Sequence, residues 1–270
     1  MDEQMAALAD EISAAGGVTV LTGAGVSNAS GVPTFRGEEG IWNNEFDPAD
    51  FRMDRFERDP AGFWTDRLEL HERMFGDVTG PNDAHRALAR LEDLGVVDVV
   101  VTQNTDGLHA EAGTNRLIEL HGNNARSVCV ECGESVPTET ALDDVRAGNS
   151  PPSCPVVGCT GHLKPDVVLF GERLPGGAYD SARRMAWESD VFIVVGSSLT
   201  VAPASTLPEE AAERGQLAIF DTGETEKDHL AHYLVRGDAT ETLPALVEAV
   251  QARLGREADA RGVENVTQEG

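Results

Sequence analysis

The sequence predicts an α/β fold: a Rossmann-like parallel sheet with helices on both faces, joined to a smaller lobe. Three observations predict it. Short, nearly all-apolar runs alternate with helical patterns along most of the chain, as in a sheet covered on both faces. Polar, glycine-rich turns follow those runs. All four cysteines fall within residues 129–159, in one of two segments that break the alternation.

The elements follow in order. MDEQMAALADEISAAGG at the N-terminus is acidic and helical in pattern, without the basic start and apolar core of a signal peptide. Strands are expected at Val18–Leu21, Asp98–Thr102, Leu117–Leu120, Val167–Phe170, Val191–Val195 and Leu217–Phe220. Helices are expected at Asp83–Leu94, behind Pro81-Asn82, and at Ala178–Glu188, Pro203–Arg214 and Thr242–Leu254. Residues 1–33, 76–125 and 164–255 then form the discontinuous Rossmann-like part. Residues 34–75, with a helix over Pro60–Phe75, and 126–163 form the small lobe. Residues 256–270 are polar and read as a disordered tail.

Composition narrows the setting. The chain carries 47 acidic against 21 basic residues, a formal net charge of −26, and its only lysines are Lys164 and Lys227. Such charge repels itself in dilute salt, whereas at molar salt the Debye length falls to about 3 Å. The acids are dispersed, which favours a salt-rich cytoplasm over one basic partner. No basic patch is visible, so nucleic acid is not expected as a partner. No run approaches the ~18 apolar residues of a membrane span, so no membrane partner is expected and the chain reads as cytoplasmic.

Ligands of open parallel sheets bind beyond the carboxyl ends of the strands. There this sequence places TGAGVS, TQNTDGLH, HGNN, GERLP, GSSLTVAPA and DTGETEKD. Gly23-Ala24-Gly25 suits a phosphate turn, with Ser27, Ser30 and Gly31 continuing the cradle. Asn28 stands where a dinucleotide fingerprint has its third glycine, so a plain strand-to-helix turn is the competing reading. Arg36 suits a phosphate or ribose, and Phe35 is placed to cover a reactive sugar carbon or simply to pack. Gln103-Asn104-Thr105-Asp106 presents groups for ribose hydroxyls and an amide, or else caps a helix as an Asx turn. His121 ends a strand before a glycine, where an imidazole base would face the cleft. His109 competes, but its place in DGLHAEAG reads as structural. The cysteines read C-x2-C-x21-C-x4-C, which in a cytosolic chain favours a closed, structural zinc site on Cys129, Cys132, Cys154 and Cys159 over disulfides. His162 is a spare ligand beside them.

Together these stretches resemble the sirtuin family of NAD-dependent protein deacylases. The matching residues are GAGVSNASGVPTFRG (23–37), TQNTDGLH (102–109), ELHG (119–122), the two cysteine pairs, GHLKPDVVLFGERLP (161–175) and GSSLTVAPA (196–204), in the family's order. The resemblance covers about Ala6 to Leu254. It implies that Gly23 to Trp42, including Ala24, Gly25, Ser27, Val32, Phe35 and Arg36, forms the NAD cradle and a mobile cofactor loop. It implies that Asn104 and Asp106 handle the nicotinamide ribose and carboxamide, with Gln103 on the ribose. His121 becomes the general base, and Gly196-Ser197-Ser198 meets the adenosine half. Asp221 replaces the family's usual Asn; it can accept from a ribose hydroxyl but cannot donate. Backbone near Ala239 would face adenine. Val168, Phe170, Gly171 and Glu172 would pair with an extended acyl-lysine peptide by strand addition. In one branch a Tyr and an Arg three residues apart select acidic acyl groups; Trp64 and Arg67 stand at those positions here.

The implied reaction frees the lysine and yields nicotinamide and O-acyl-ADP-ribose. NAD is then a co-substrate and zinc a structural ion. The same cleft would support mono-ADP-ribosyl transfer or NAD hydrolysis if another nucleophile or water reached the sugar. A non-catalytic NAD-sensing zinc module is the third reading; His121 and the Gln-Asn-x-Asp run argue against it. Oligomeric state is not encoded in any motif.

Overall fold

The computed structural model describes residues 3–34 and 40–267. α1 (Glu3–Ala14) buries Met5, Leu8, Ala9 and Ile12, the stripe of an amphipathic helix. β1 (Val18–Thr22) is buried along its length and runs into a 3-10 turn over Ala24–Ser30. Three helices follow: α2 (Ile41–Asn44), α3 (Met53–Arg58) and α4 (Pro60–Phe75). Asp59 caps α4 by accepting from Gly62 N, and Pro60 opens its first turn. α5 (Asp83–Asp93) is entered through a capping box in which Asn82 and His85 satisfy each other's backbone.

β2 (Val99–Thr102), α6 (Leu108–Glu111) and β3 (Leu117–Glu119) lead into β4 (Gly122–Cys129), β5 (Ser135–Pro137), α7 (Thr138–Arg146) and β6 (Leu163–Val167). The chain then returns through α8 (Gly176–Glu188), β7 (Val191–Val195), α9 (Leu207–Ala212), β8 (Gln216–Asp221), β9 (Tyr233–Arg236) and α10 (Ala239–Thr267).

The large sheet has strand order β3-β2-β1-β7-β8-β9, all parallel. Its side chains sort with the period of two that a pleated strand imposes. Val20, Val100, Ile193 and Ala218 face α1, α5 and α10; Leu21, Val101, Phe192 and Ile219 face α8 and α9. The strand order reverses at β1, whose neighbours are β2 and β7. Such a switch point opens a crevice.

A second, antiparallel sheet, β5-β4-β6, packs with α2, α3, α4 and α7 around a separate apolar cluster that includes Phe56, Phe63, Trp64 and Leu163. Four expectations change here. Val167–Phe170 is not a strand of the parallel sheet. Val167 ends β6, which pairs with β4, and Phe170 makes only an isolated bridge to Arg52. An apolar run does not say which core buries it. The sixth parallel strand is instead Tyr233–Arg236, a half-buried edge with too short a pattern to stand out. Gly122–Ala125 and Lys164–Val167 belong to the small sheet, which moves the lobe boundary into residues assigned to the Rossmann-like part. Residues 256–267, expected as a tail, continue the backbone of α10. Among the described residues, no helix is long and apolar enough to cross a membrane.

Candidate active site

The cleft lies beyond the carboxyl ends of β1, β2, β7 and β8 and is closed on its far side by the small lobe. Its volume is about 780 Å³. Its floor is made by two backbones in near contact. Gly23 N donates to Val195 O at 3.0 Å, and Gly25 N to Gly196 O at 2.9 Å. A Cβ on Gly23 would sit 2.7 Å from Gly196 O, and one on Gly25 would sit 2.8 Å from Gly196 Cα. Glycine is needed at both positions because two strand-end turns cross there. Gly23, Ala24, Gly25, Gly196, Ser197 and Ser198 line this floor together.

β2 delivers the polar run. Gln103 and Asn104 line the cleft, and Gln103 Nε2 donates to Ser197 Oγ at 2.9 Å. Asn104 is buried and donates through Nδ2 to Gly23 O and Ser27 Oγ. Ser27 is wholly buried behind the wall and donates to Asp106 Oδ2 at 2.7 Å. Val32 and Asp106 line a narrow recess behind Ala24, together with Met74, Phe75 and Asn104. Burial pushes the Asp106 carboxyl above its ordinary range, against the hydrogen bonds from Leu108 N and Ser27.

His121 follows β3 and lines the cleft. Its Nδ1 lies 2.9 Å from Gln103 O, so Nδ1 carries the proton and Nε2 is left as the acceptor. Burial lowers its pKa, partly opposed by the Gln103 carbonyl. His109 sits elsewhere: it is buried, with Nε2 2.9 Å from Thr22 Oγ1, and is structural.

The lobe side carries Trp42 and the segment Val167 to Leu174, including Val168, Phe170, Gly171 and Glu172. Phe170 is wedged against Trp42, with ring centroids 5.6 Å apart. Arg67 also lines the cleft; it is buried and donates through Nη2 to Asn124 Oδ1, while Nε has no partner in the described structure. Burial lowers its guanidinium to about 10.

Two expected residues are placed differently. Trp64 is not on the cleft wall: it is fully buried in the lobe core, and its Nε1 donates to Leu163 O at 2.8 Å. Three residues apart on a helix gives neighbouring faces, and only Arg67's reaches the cleft. Ala239 opens α10 and packs on the core beside the cleft, adjacent to Asp221 through Gly237 N and Asp221 O at 3.4 Å. Asp221 itself lines the cleft, with its carboxyl raised by burial. Phe35 and Arg36 lie outside the described residues.

The apolar wall made by Phe51, Leu70 and Met74 was not anticipated. Its signal was present: Arg67, Leu70 and Met74 stand at i, i+3 and i+7 on α4. Asn124 was also missed, although it stands in the HGNN stretch that opens β4. It links Arg67 to the polar run by donating to Thr105 Oγ1 at 2.7 Å.

The cysteines converge. The four sulfurs lie within 4.8 Å of one another. Cys129 and Cys159 Sγ are 3.7 Å apart, and Cys132 and Cys154 Sγ 3.6 Å. Glu131 N and Gly161 N point at sulfur, as backbone amides do around thiolates. Four sulfurs so grouped fit a tetrahedral zinc with no position left open. His162 is not in the group; its ring packs at a tilt against Phe56, with centroids 5.4 Å apart.

Comparison with known proteins follows the same lines. A family model described as "Sir2 family" matches residues 23–203. The NAD-dependent protein deacetylase of Haloarcula marismortui is 49% identical over 249 residues, covering 91% of this chain and 94% of that protein. A solved Sir2 structure with a p53 peptide and NAD+ has 33% identity and a TM-score of 0.80, covering 92% of this chain and 98% of that one. Another, with a deacetylated p53 peptide and an O-acetyl ADP-ribose, has 34% identity and a TM-score of 0.82, covering 90% and 97%.

Proposed function

This chain belongs to the Sir2 family, and from that membership together with its cleft we infer that it is an NAD-dependent protein-lysine deacylase. NAD is a co-substrate, and the four cysteines hold a structural zinc. When bound, NAD would supply a sugar carbon that loses nicotinamide and takes the acyl oxygen, and one water, consumed after that transfer, would complete the release of free lysine and O-acyl-ADP-ribose.

The residues divide the work as follows. Gly23, Ala24, Gly25, Gly196, Ser197 and Ser198 bring bare backbone to the phosphate and adenosine parts. Gln103 and Asn104 hold the nicotinamide ribose. Asp106, fixed by Ser27, meets the carboxamide from the recess that Val32 closes. Asp221 accepts from the second ribose, and the turn before Ala239 borders the adenine end. Trp42 covers the cleft from the lobe side and excludes water. Val168, Phe170, Gly171 and Glu172 form the edge that takes the acyl-lysine peptide. Arg67 reads an acidic acyl terminus, with Leu70 and Met74 holding the aliphatic part. The large parallel sheet with its helices is the NAD-binding domain, and the two inserted segments are the substrate lobe.

The observation that carries this reading is His121. Its Nδ1 is tied to Gln103 O, so a neutral imidazole offers Nε2 to the cleft between the polar run and the 167–172 edge. There it can take a proton from a ribose hydroxyl. The test is mass spectrometry of products from NAD and an acetylated peptide, with His121→Ala as the partner experiment. Nicotinamide, free lysine peptide and O-acetyl-ADP-ribose in equal amounts support the reading. ADP-ribose on protein, or NAD loss without deacylation, or full turnover by His121→Ala would sink it.

A further inference from the structure

A chain with 21 basic residues, of which only two are lysines, uses arginine for nearly all its positive charge. One of the two exceptions is buried. Lys164 is 8% exposed, and its ammonium meets three oxygens: Val167 O at 2.8 Å, Pro165 O at 3.2 Å and Glu172 Oε2 at 3.0 Å. The ammonium has three diverging protons, so its donors are fully used. A planar guanidinium fork could not converge on these oxygens from the same stem.

Those oxygens bracket the segment that leaves β6. Glu172 Oε2 also accepts from Leu169 N at 2.9 Å, and Glu172 N returns a bond to Leu169 O. Val168 N donates to the carbonyl of His121 at 2.9 Å. Phe170 is tied to Phe51 O and Met53 N. Lys164 itself is not on the cleft wall, whereas Glu172 and residues 167–171 are.

We propose that Lys164 is the positioning residue of the peptide-binding edge, setting residues 167–172 in register with His121 through Glu172 and two carbonyls. This rests on the reading of 167–172 as that edge. Without the ammonium, Glu172 loses its counter-charge and two carbonyls lose a donor. The acyl peptide must then order the segment as it binds. Ordering even one backbone residue weakens affinity by about tenfold. The glycine floor for NAD lies on the opposite wall and does not depend on Lys164. The pair is also sheltered, with side-chain exposures of 11% and 29%, so salt screens it less than the surface pairs.

The test uses the zinc-loaded full chain in molar KCl. Lys164→Met is expected to raise the acetyl-peptide KM about tenfold, leave NAD affinity within about twofold, and keep kcat at saturating peptide. Lys164→Arg should not restore the peptide KM. Glu172→Gln, which keeps the acceptor for Leu169 N, should show the same split. An unchanged peptide KM, or parallel losses for NAD and peptide, overturns the proposal. Hydrogen exchange on the unaltered protein separates the two claims. If acetyl peptide fails to protect residues 167–172, the edge reading falls and the proposal with it. If peptide protects them but they already exchange as a free loop without it, the proposal alone falls.

Discussion

The imidazole of His121 donates from Nδ1 to the carbonyl oxygen of Gln103 at 2.9 Å, which fixes the ring and its tautomer in one bond. The acceptor belongs to the same run that lines the cleft through Gln103 and Asn104, so the imidazole is tied directly to that polar run. Burial lowers the His121 pKa. As the proposed base, His121 would therefore stay neutral, and competent, as pH falls below the ordinary imidazole value of about 6.5. The acid limb of the kcat/KM profile for acetyl peptide should have its midpoint below that value. A midpoint above it would show that His121 is not the group being titrated, or is not held as described. His121→Ala should lower deacetylation by about 100-fold or more, the scale of a lost general base.

Two more histidines make stability depend on pH. His85 and His109 are buried with ring centroids 4.9 Å apart, and desolvation lowers their pKa values to about 4 and about 3. In the unfolded chain both would protonate near 6.5. Their folded pKa values are depressed, so the contribution is complete above about 6.5 and is lost as pH falls towards 4. Each contributes a slope of about 1.4 kcal/mol per pH unit within that window. Asp106, whose pKa is raised, acts in the opposite sense over the carboxyl range and offsets part of it. Urea titrations between pH 7 and pH 5 should show falling stability, with a shallower fall in His109→Gln. Equal slopes for the two proteins would exclude His109 as a source.

The site was legible in the sequence to the extent that it is written in loops. Each apolar strand ends where polar side chains begin, so the cleft from Gly23 to Asp221 could be read from strand ends. Residues whose place depends on which core they join were not legible. Val167–Phe170 has the composition of a buried strand, but β4 claims its first residue and the small lobe buries the rest. Trp64 and Arg67 lie three apart on α4, and only packing against Leu163 decides that the indole turns inward while the guanidinium reaches the cleft. Tyr233–Arg236 was missed because a four-residue, half-buried edge has almost no pattern.

The zinc site connects to the proposed catalytic residues through two strands. β4 begins at Gly122, next to His121, and ends at Cys129; β6 begins beside the cysteine cluster and runs into the 167–172 edge. A structural zinc contributes on the order of 10 kcal/mol to its fold. Chelation, or Cys154→Ser, should release the metal and abolish peptide turnover while most helical circular dichroism is retained, because the parallel sheet has its own core. Full activity in metal-free protein, confirmed by elemental analysis, would contradict this.

Salt should stabilise the chain. At a formal net charge of −26, neighbouring carboxylates repel across a Debye length of about 10 Å at 0.1 M salt and about 3 Å at 1 M. Raising KCl from about 0.1 M to about 2 M should raise Tm by several degrees or more, given that about 1 kcal/mol shifts Tm by a few degrees in a chain of this size. Sodium chloride should act similarly, since screening does not distinguish the cations. A Tm that falls over this range would mean that surface ion pairs, not repulsion, dominate.

Arg67 tests acyl selectivity. Its guanidinium is buried at the lobe side of the cleft, bonded to Asn124, with Nε unpartnered in the described structure. A buried cationic donor without a partner is costly, and a carboxylate entering the cleft would satisfy it. His71, on the next turn of α4, is held neutral by burial and by Arg67, with its pKa lowered to about 4, so it adds no competing charge near neutral pH. Arg67 also has a second task, since Asn124 passes its hold on to Thr105. The two tasks separate by substrate. If Arg67 reads an acidic terminus, Arg67→Met should lower kcat/KM for a succinylated peptide at least about tenfold more than for an acetylated one, the worth of a charge-assisted hydrogen bond. Equal losses for both peptides would leave Arg67 the role of holding Asn124 and Thr105 in place, with no part in choosing the acyl group.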